Sequence, residues 1–245
     1  MIHLILEQPG KAAQQVRKRL ISSGGFTLLE LMVGVVIISL LTLLIYPAIG
    51  QARLAANRGK CMANQRQIGL GLQLYANDHA GEFPPTTHST GSFRKERSWV
   101  FELAPYLDDV DRVRVCPSDE PRRQKRILDG GFTSYVLNDQ VFDNYEHNSF
   151  LKIPRPTKTI LLFILSMSRN PSATWDHVHG GGWNSWAAAT YDIEPDRHRA
   201  GARSADRMKG SANYLYADGH VENISAKAFK NIFDQGINPA AVPTE

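Results

Sequence analysis

The feature that most constrains this chain is an unbroken apolar run near its N-terminus. The run from Phe26 to Ile49 is 24 residues long, and Glu30 is its only charge. At a rise of about 1.5 Å per residue, a helix of this length spans roughly 36 Å, enough for a bilayer core of about 30 Å. A helix in the core of a soluble protein is the alternative, but such a helix normally has a polar face. This run has almost none, so the sequence predicts a membrane-spanning helix.

Positive charge is concentrated just before the apolar run. The chain has 245 residues, a formal net charge of +4 and a pI near 9.1. Residues 1–25 supply +3 of that charge, through Lys11, Arg17, Lys18 and Arg19 against Glu7. By the positive-inside rule this end stays in the cytoplasm and the C-terminal part is translocated. The remainder is nearly neutral, and its one compact basic stretch, residues 122–126, is typical of a solvated loop, so we expect no nucleic-acid partner.

The small residues that could mark a cleavage site lie before the apolar run, whereas a secretory signal has them after it. The segment Gly25-Phe26-Thr27-Leu28-Leu29-Glu30 resembles the prepilin-peptidase site of type IV pilins and type II secretion pseudopilins. This resemblance implies cleavage between Gly25 and Phe26 and N-methylation of Phe26. It makes Glu30 the fifth mature residue, with a role in assembly, and Pro47 the position of a helix kink.

Glu30 needs an explanation of its own, because a carboxylate in an apolar span costs on the order of 3 kcal/mol. One account is that Glu30 lies one turn from the interface and reaches the headgroups. The account implied by the family is that Glu30 pairs with the Phe26 ammonium of a neighbouring subunit during filament assembly. Cleavage creates that ammonium, so processing would produce the partner of the carboxylate.

The apolar run continues as a polar but helix-forming sequence. Cys61, Ile68, Leu72 and Tyr75 are spaced so that they share one helical face, and Gly81 with the prolines after it ends the helix. We predict a leader at residues 1–25, a transmembrane and stalk helix at 26–78, and a periplasmic head at 79–245. The fold class is α+β and type IV pilin-like, with the long helix packed on a head that has a small antiparallel sheet.

Several shorter elements are predicted in the head. Residues 98–107 are typical of a short helix, residues 116–119 of a turn, and residues 133–137 and 159–165 of strands. Asp218-Gly219 lies between two further strand patterns, which indicates a hairpin with a type I′ turn. Ser225 then caps a final helix that extends to Phe233.

The head also resembles a pseudopilin-like group described by a histidine, nine residues and then Asp-Gly. The shared residues are Cys61, Cys116-Pro117-Ser118-Asp119, Ser134-Tyr135 and Ala217-Asp218-Gly219-His220-Val221. This chain departs from the pattern because 19 residues separate His198 from Asp218. An insertion around residues 202–211 accounts for the longer spacing.

Both cysteines lie beyond the span, in the compartment that we expect to be oxidising. A disulfide between Cys61 and Cys116 would tie the helix to the head and is predicted. Two separate buried thiols are the alternative, which the sequence leaves open.

The sequence indicates neither a cofactor nor catalysis. His177, His179, His198 and His220, with Asp206 and Asp218, lack the paired spacing of known zinc motifs, although calcium (by analogy with pseudopilins) or another metal in the head stays open. His179-Gly180-Gly181-Gly182-Trp183 resembles the oxyanion loop of some hydrolases, but no Gly-x-Ser-x-Gly pentapeptide accompanies it. We interpret it as a flexible loop flanked by Trp175, Trp183 and Trp186, whose indoles could contact a partner subunit.

These patterns together predict a type II secretion pseudopilin rather than an enzyme. The expected partners are prepilin peptidase, other pseudopilin or pilin subunits, the inner-membrane assembly platform and the lipid bilayer. The expected location is the bacterial inner membrane and a periplasmic pseudopilus. A type IV pilus subunit for adhesion, motility or DNA uptake is the first alternative, and a membrane-anchored periplasmic hydrolase or binding protein is the second.

Overall fold

A computed structural model describes residues 25–88, 98–171 and 176–244 of the chain. The chain divides into two compact units, of which the first ends at Ala48 and the second covers Ile49–Glu245. Each unit is described by itself below.

A single long helix, α1, extends from Leu28 to Asp78 and matches the predicted helix within two residues at each end. Its start is a capping box, in which the Thr27 hydroxyl accepts the Glu30 backbone N–H at 3.2 Å and Glu30 Oε2 accepts the Thr27 N–H at 2.9 Å. The helix stops where Gly81, with φ at +86°, turns back and donates its N–H to the Ala76 carbonyl. Pro47 lies inside α1, and the predicted kink at this residue stays a prediction.

In the first unit, α1 buries nothing within the described part of the chain. All its large apolar side chains from Leu28 to Tyr46 are exposed. Among the described residues, α1 is the helix that is long and apolar enough to cross a membrane. A soluble core helix would bury this surface, so the structure argues against that alternative.

In the second unit, α1 packs on the head through the face that the sequence predicts. Cys61, Ile68, Leu72 and Tyr75 are all buried. The helix approaches the sheet closely at Gly69, where a Cβ atom would lie 2.9 Å from Leu215 Cδ1. Polar groups also join the two layers, since Gln65 Nε2 donates to the Asn213 carbonyl and Asn213 Nδ2 donates to the Arg58 carbonyl, each at 3.0 Å.

The head contains a five-stranded sheet in the order β3-β1-β2-β4-β5. The strands are β1 Tyr135–Asn138, β2 Ile160–Ile164, β3 His177–Val178, β4 Ser211–Tyr216 and β5 Val221–Ser225. The predicted α+β, pilin-like layout is confirmed, but the sheet is mixed rather than purely antiparallel. The exception is the short edge strand β3, which pairs in parallel with β1.

Short helices precede, connect and follow these strands. They are α2 Trp99–Glu102, α3 Val110–Val113, α4 Pro121–Gly130, α5 Asp139–Phe142, α6 Trp186–Asp192 and α7 Ala226–Asp234, with 3₁₀ turns at Ala104–Tyr106, Phe150–Lys152 and Gly180–Gly182. The helix predicted over 98–107 is split, because Pro105 has no backbone N–H with which to continue α2. Ser225 caps α7 as predicted, accepting the Ala228 N–H at 3.1 Å.

The β4–β5 hairpin forms at Asp218-Gly219, but its predicted type I′ turn is wrong. Leu215 pairs with Val221, and Tyr216 donates its N–H to the His220 carbonyl, so three residues form the loop. Only Gly219 in this loop has a positive φ, at +89°. This pattern fits a three-residue hairpin loop that ends in a left-handed glycine.

Candidate functional site

The predicted processing and assembly residues lie at the start of α1. Gly25, Phe26 and Thr27 precede the helix without regular structure, and 88% of Phe26 is exposed. Glu30 Oε2 accepts both the backbone N–H and the hydroxyl of Thr27, each at 2.9 Å. Glu30 therefore caps its own helix, which neither of the two accounts from the sequence predicts. Those two accounts stay predictions.

The motif residues of the head converge on one buried cluster, the motif cluster, formed by Cys61, Cys116, Ser118, Asp119, Ser134, Tyr135, Arg197 and His198. The two sulfurs and a ring nitrogen of His198 all lie within 4.8 Å of one another. Both cysteines are free thiols in this structure and are fully buried. Their proximity is compatible with the predicted disulfide, which stays a prediction.

Charge inside the motif cluster is closely paired. Arg197 donates to Asp119 Oδ1 at 2.5 Å and to the Leu165 carbonyl at 2.6 Å, and neither charged side chain has measurable exposure. Ser134 donates to Asp119 Oδ2 at 2.5 Å and accepts the Cys116 N–H at 2.8 Å. Burial opposes the charge of Arg197, but Asp119 and then Glu194 outweigh it and hold the pKa of Arg197 above its usual value. Asp119 and Cys116 of the Cys-Pro-Ser-Asp motif thus have structural contacts, Asp119 with Arg197 and Ser134, and Cys116 with Ser134.

His198 occupies the motif cluster despite its unusual spacing from Asp218. Its Nδ1 lies 3.0 Å from the Ser118 hydroxyl, and its buried Nε2 has no hydrogen-bond partner among the described residues. His198 and Ser211 exchange backbone hydrogen bonds of 2.8 and 3.2 Å. The residues between them therefore leave and rejoin the fold at one point, which supports an insertion.

Ion pairs fix the loop between His198 and Ser211 to the head. Arg207 donates to Asp196 Oδ1 at 2.7 Å and lies 2.9 Å from Glu194 Oε2, and both carboxylates are buried. Burial would raise the pKa of Glu194, but the charges of Arg197 and Arg207 lower it below its usual value. These contacts explain how the loop is held against the head.

A second group, the histidine cluster, consists of His88, His177 and His179. One ring nitrogen from each lies within 4.8 Å of the other two. His177 is buried on β3 and bonds through Nδ1 to Asp176 Oδ1 at 2.8 Å. Burial lowers the pKa of His177, yet the Asp176 hydrogen bond and charge outweigh it, so the pKa lies above its usual value. His177 and His179 are candidates from the sequence alone. His88 is not, because it lies 89 residues before His177.

The other members of the histidine and aspartate set lie elsewhere. His220 pairs locally with Asp218 at 2.5 Å on the hairpin, His198 belongs to the motif cluster, and Asp206 accepts the Met208 N–H at 3.2 Å. The six residues considered together from the sequence therefore do not form one site.

The glycine-rich loop is a packed 3₁₀ turn and not a flexible loop. A Cβ atom at Gly180 would lie 2.3 Å from Ala240 Cβ, and the Gly180 N–H donates to Asp139 Oδ1 at 2.8 Å. Trp183 is buried and donates to Asp192 Oδ2, so it is not available to a partner subunit. Trp186 is half-buried and donates to the Asp206 carbonyl, and Trp175 lies outside the described residues.

Two family models match parts of the chain. The prokaryotic N-terminal methylation motif matches residues 22–46, and a family described as a protein of unknown function (DUF1559) matches residues 50–113. No curated protein and no solved structure matches the chain.

Together with the long apolar helix, the two matches support a pilin-like prepilin, and the predicted resemblance is confirmed at this level. The motif implies processing by prepilin peptidase and assembly with other pilin subunits, and it is consistent with membrane anchoring. This affiliation suggests a structural role rather than an enzymatic one.

Proposed function

We propose that this protein is a pseudopilin of a type II secretion system. It is made as a prepilin, cut after Gly25, N-methylated at Phe26 and assembled into a periplasmic pseudopilus that supports protein export. The observation that carries the proposal is the exposed apolar surface of α1 from Leu28 to Tyr46, which lies within the matched methylation motif. The likeness of the head motifs to a pseudopilin-like group favours this system over a type IV pilus.

The proposed function divides the chain into three parts. Residues 1–25 form the leader, whose positive charge holds that end in the cytoplasm until it is removed. Residues 26–78 form the helix that anchors the subunit in the inner membrane before assembly. Residues 79–245 form the head, which lies in the periplasm and contributes the outer surface of the filament.

The capping box supplies a mechanism for the assembly role of Glu30. Both hydrogen bonds from Thr27 are accepted by Glu30 Oε2. The other oxygen, Oε1, can then accept the Phe26 ammonium of a neighbouring subunit without loss of the cap. A carboxylate that is already ordered by its own helix loses little side-chain entropy when it pairs.

Two substitutions separate the cap from the intermolecular pair. Glu30→Gln keeps an oxygen that can accept from Thr27 but removes the charge, so we expect normal cleavage and at least a tenfold loss of filament incorporation. Thr27→Ala removes the hydroxyl of the cap and keeps the carboxylate, so incorporation should stay within about twofold. Cleavage is measured by N-terminal sequencing of the mature protein, and incorporation by crosslinking to neighbouring subunits.

The outcomes discriminate between the mechanisms. Normal incorporation of the Glu30→Gln variant would contradict the ammonium pair, and equal losses in both variants would assign Glu30 to the helix cap alone. A mature terminus other than methylated Phe26 would contradict processing. Deletion of the gene should abolish secretion; loss of surface fibres or twitching with secretion intact would assign the protein to a type IV pilus instead.

A further inference from the structure

The histidine cluster joins two segments that are distant in sequence. His88 follows the loop after α1, His177 lies on the edge strand β3, and His179 follows that strand. The ring centres are 5.5 Å apart for His88 and His177, 5.4 Å for His88 and His179, and 4.9 Å for His177 and His179. With zinc–nitrogen bonds of about 2.0–2.1 Å, three imidazoles around a tetrahedral ion have ring centres roughly 5 Å apart.

Each histidine has a carboxylate of its own beside Nδ1. Asp176 lies 2.8 Å from the Nδ1 atom of His177, Asp139 lies 3.7 Å from that of His179, and Asp143 lies 4.0 Å from that of His88. Metal-binding histidines commonly present the second ring nitrogen to a carboxylate, which fixes the ring and makes the ligand nitrogen more basic. With Nδ1 beside an acid in all three rings, Nε2 is the nitrogen that remains for an ion.

The three carboxylates are themselves held in place. Asp176 accepts the Thr87 N–H at 3.1 Å and the Thr87 hydroxyl at 2.8 Å. Asp139 Oδ1 accepts the Gly180 N–H at 2.8 Å, which leaves Oδ2 facing His179. Asp143 Oδ1 accepts the Thr86 hydroxyl at 2.7 Å. Its buried Oδ2, the atom nearest to His88, has no hydrogen-bond partner among the described residues.

Exposure differs among the three rings in a way that suits ligand binding. The His177 side chain is only 5% exposed, whereas those of His179 and His88 are 58% and 65% exposed. An ion would therefore be held by one buried imidazole. Solvent would reach it past the two exposed imidazoles. Three protein ligands also leave one tetrahedral position for water or for a group from another molecule.

We propose that His88, His177 and His179 bind a zinc ion, with Asp143, Asp176 and Asp139 as the acids that orient them. The site ties the segment after α1 to the edge strand of the sheet. Neutral imidazoles suit zinc better than calcium, which prefers oxygen ligands. The inference does not depend on the assignment to a secretion pseudopilus, because it concerns the head alone.

The test is a zinc titration of the mature full-length protein in detergent, purified without a polyhistidine tag and stripped with a chelator. We expect one equivalent of zinc to bind, and His88→Ala and His179→Ala each to weaken binding by at least about 100-fold. Both residues are exposed, so these variants should keep the fold. Asp139→Asn keeps an acceptor for Gly180 and should weaken binding about tenfold. His220→Ala, which removes an exposed histidine beside another aspartate, is the matched control and should bind as the parent does.

Cobalt replaces zinc as a spectroscopic probe of the ligands. A nitrogen-ligated tetrahedral spectrum that is lost in His88→Ala supports the proposal. Unchanged zinc affinity in both His88→Ala and His179→Ala overturns it, and so does the absence of stoichiometric binding. A thiolate charge-transfer band that disappears only in Cys61→Ser would place the ion at the motif cluster and overturn it equally.

Discussion

Helix α1 exposes every large apolar side chain between Leu28 and Tyr46, whereas between Cys61 and Ala76 it buries one face against the head. The first stretch has almost no polar residues with which to meet water, and the second alternates buried and exposed positions with a helical period. Apolar surface that finds no partner among the described residues is the kind that lipid or another subunit covers. The second stretch therefore contributes to the stability of the head, whereas in the proposed function the first contributes to membrane insertion and assembly.

The largest expected effect concerns the cysteines that tie the second stretch to the interior. If Cys61 and Cys116 form a disulfide in the mature protein, 54 residues lie in the closed loop, and its reduction should lower the free energy of unfolding by about 4 kcal/mol. The measurement is denaturant unfolding with and without reductant, together with the intact mass. The Cys61→Ser, Cys116→Ser double variant should show no response to reductant. An unchanged thiol count after reduction would contradict the bond.

Truncation of one leucine in each stretch compares the two stretches directly. Leu72 is fully buried, so Leu72→Ala should lower the free energy of unfolding of the head by about 3 kcal/mol. Leu44 is 73% exposed, so Leu44→Ala should leave that free energy within about 0.5 kcal/mol of the parent. Both are measured by denaturant unfolding, followed through the fluorescence of the buried tryptophans. Equal losses would mean that the first stretch also contributes to the stability of the head.

Substitutions at two glycines should change the free energy of unfolding least, and in opposite directions. A methyl group at Gly69 would press on Leu215, which is itself fully buried, so Gly69→Ala should lower the free energy of unfolding by about 1–2 kcal/mol. Apart from its own helix, no described atom lies within 4 Å of a Cβ atom at Gly59, so Gly59→Ala should instead gain up to about 1 kcal/mol from helix propensity. The same unfolding experiment measures both. A gain at Gly69 would show that Leu215 has room to move.

The features that local sequence predicts well are those that a short pattern determines. The extent of α1, its buried face at Cys61, Ile68 and Leu72, the Ser225 cap and the hairpin position all follow from periodicity and capping chemistry. The turn type does not, because Asp-Gly occurs in loops of two and three residues. Only the pairing of Leu215 with Val221 shows that Ala217 belongs to the loop.

The sites of the head depend on contacts that no local pattern contains. Strand β3 has two residues, too few for alternation to mark it, and its parallel pairing with β1 depends on the chain path between them. That pairing places His177 and His179 at the sheet edge, and the hydrogen bonds from Thr87 to Asp176 bring His88 beside them. The charge pair of Asp119 and Arg197 is equally non-local, although Asp119 belongs to the Cys-Pro-Ser-Asp motif and Arg197 directly precedes His198.

The capping box has a consequence for proteolysis. Because Thr27 and Glu30 fix the first turn, the helix begins at Leu28, and the peptide bond between Gly25 and Phe26 lies in exposed, non-helical backbone. Proteases cut such accessible segments in preference to helices. The side chains that stabilise the start of the helix therefore also limit how far it can extend towards the bond that we propose is cut. With the proposed cut after Gly25, the mature N-terminus would be set by the end of a hydrogen-bond ladder as well as by the amino acids beside the cut.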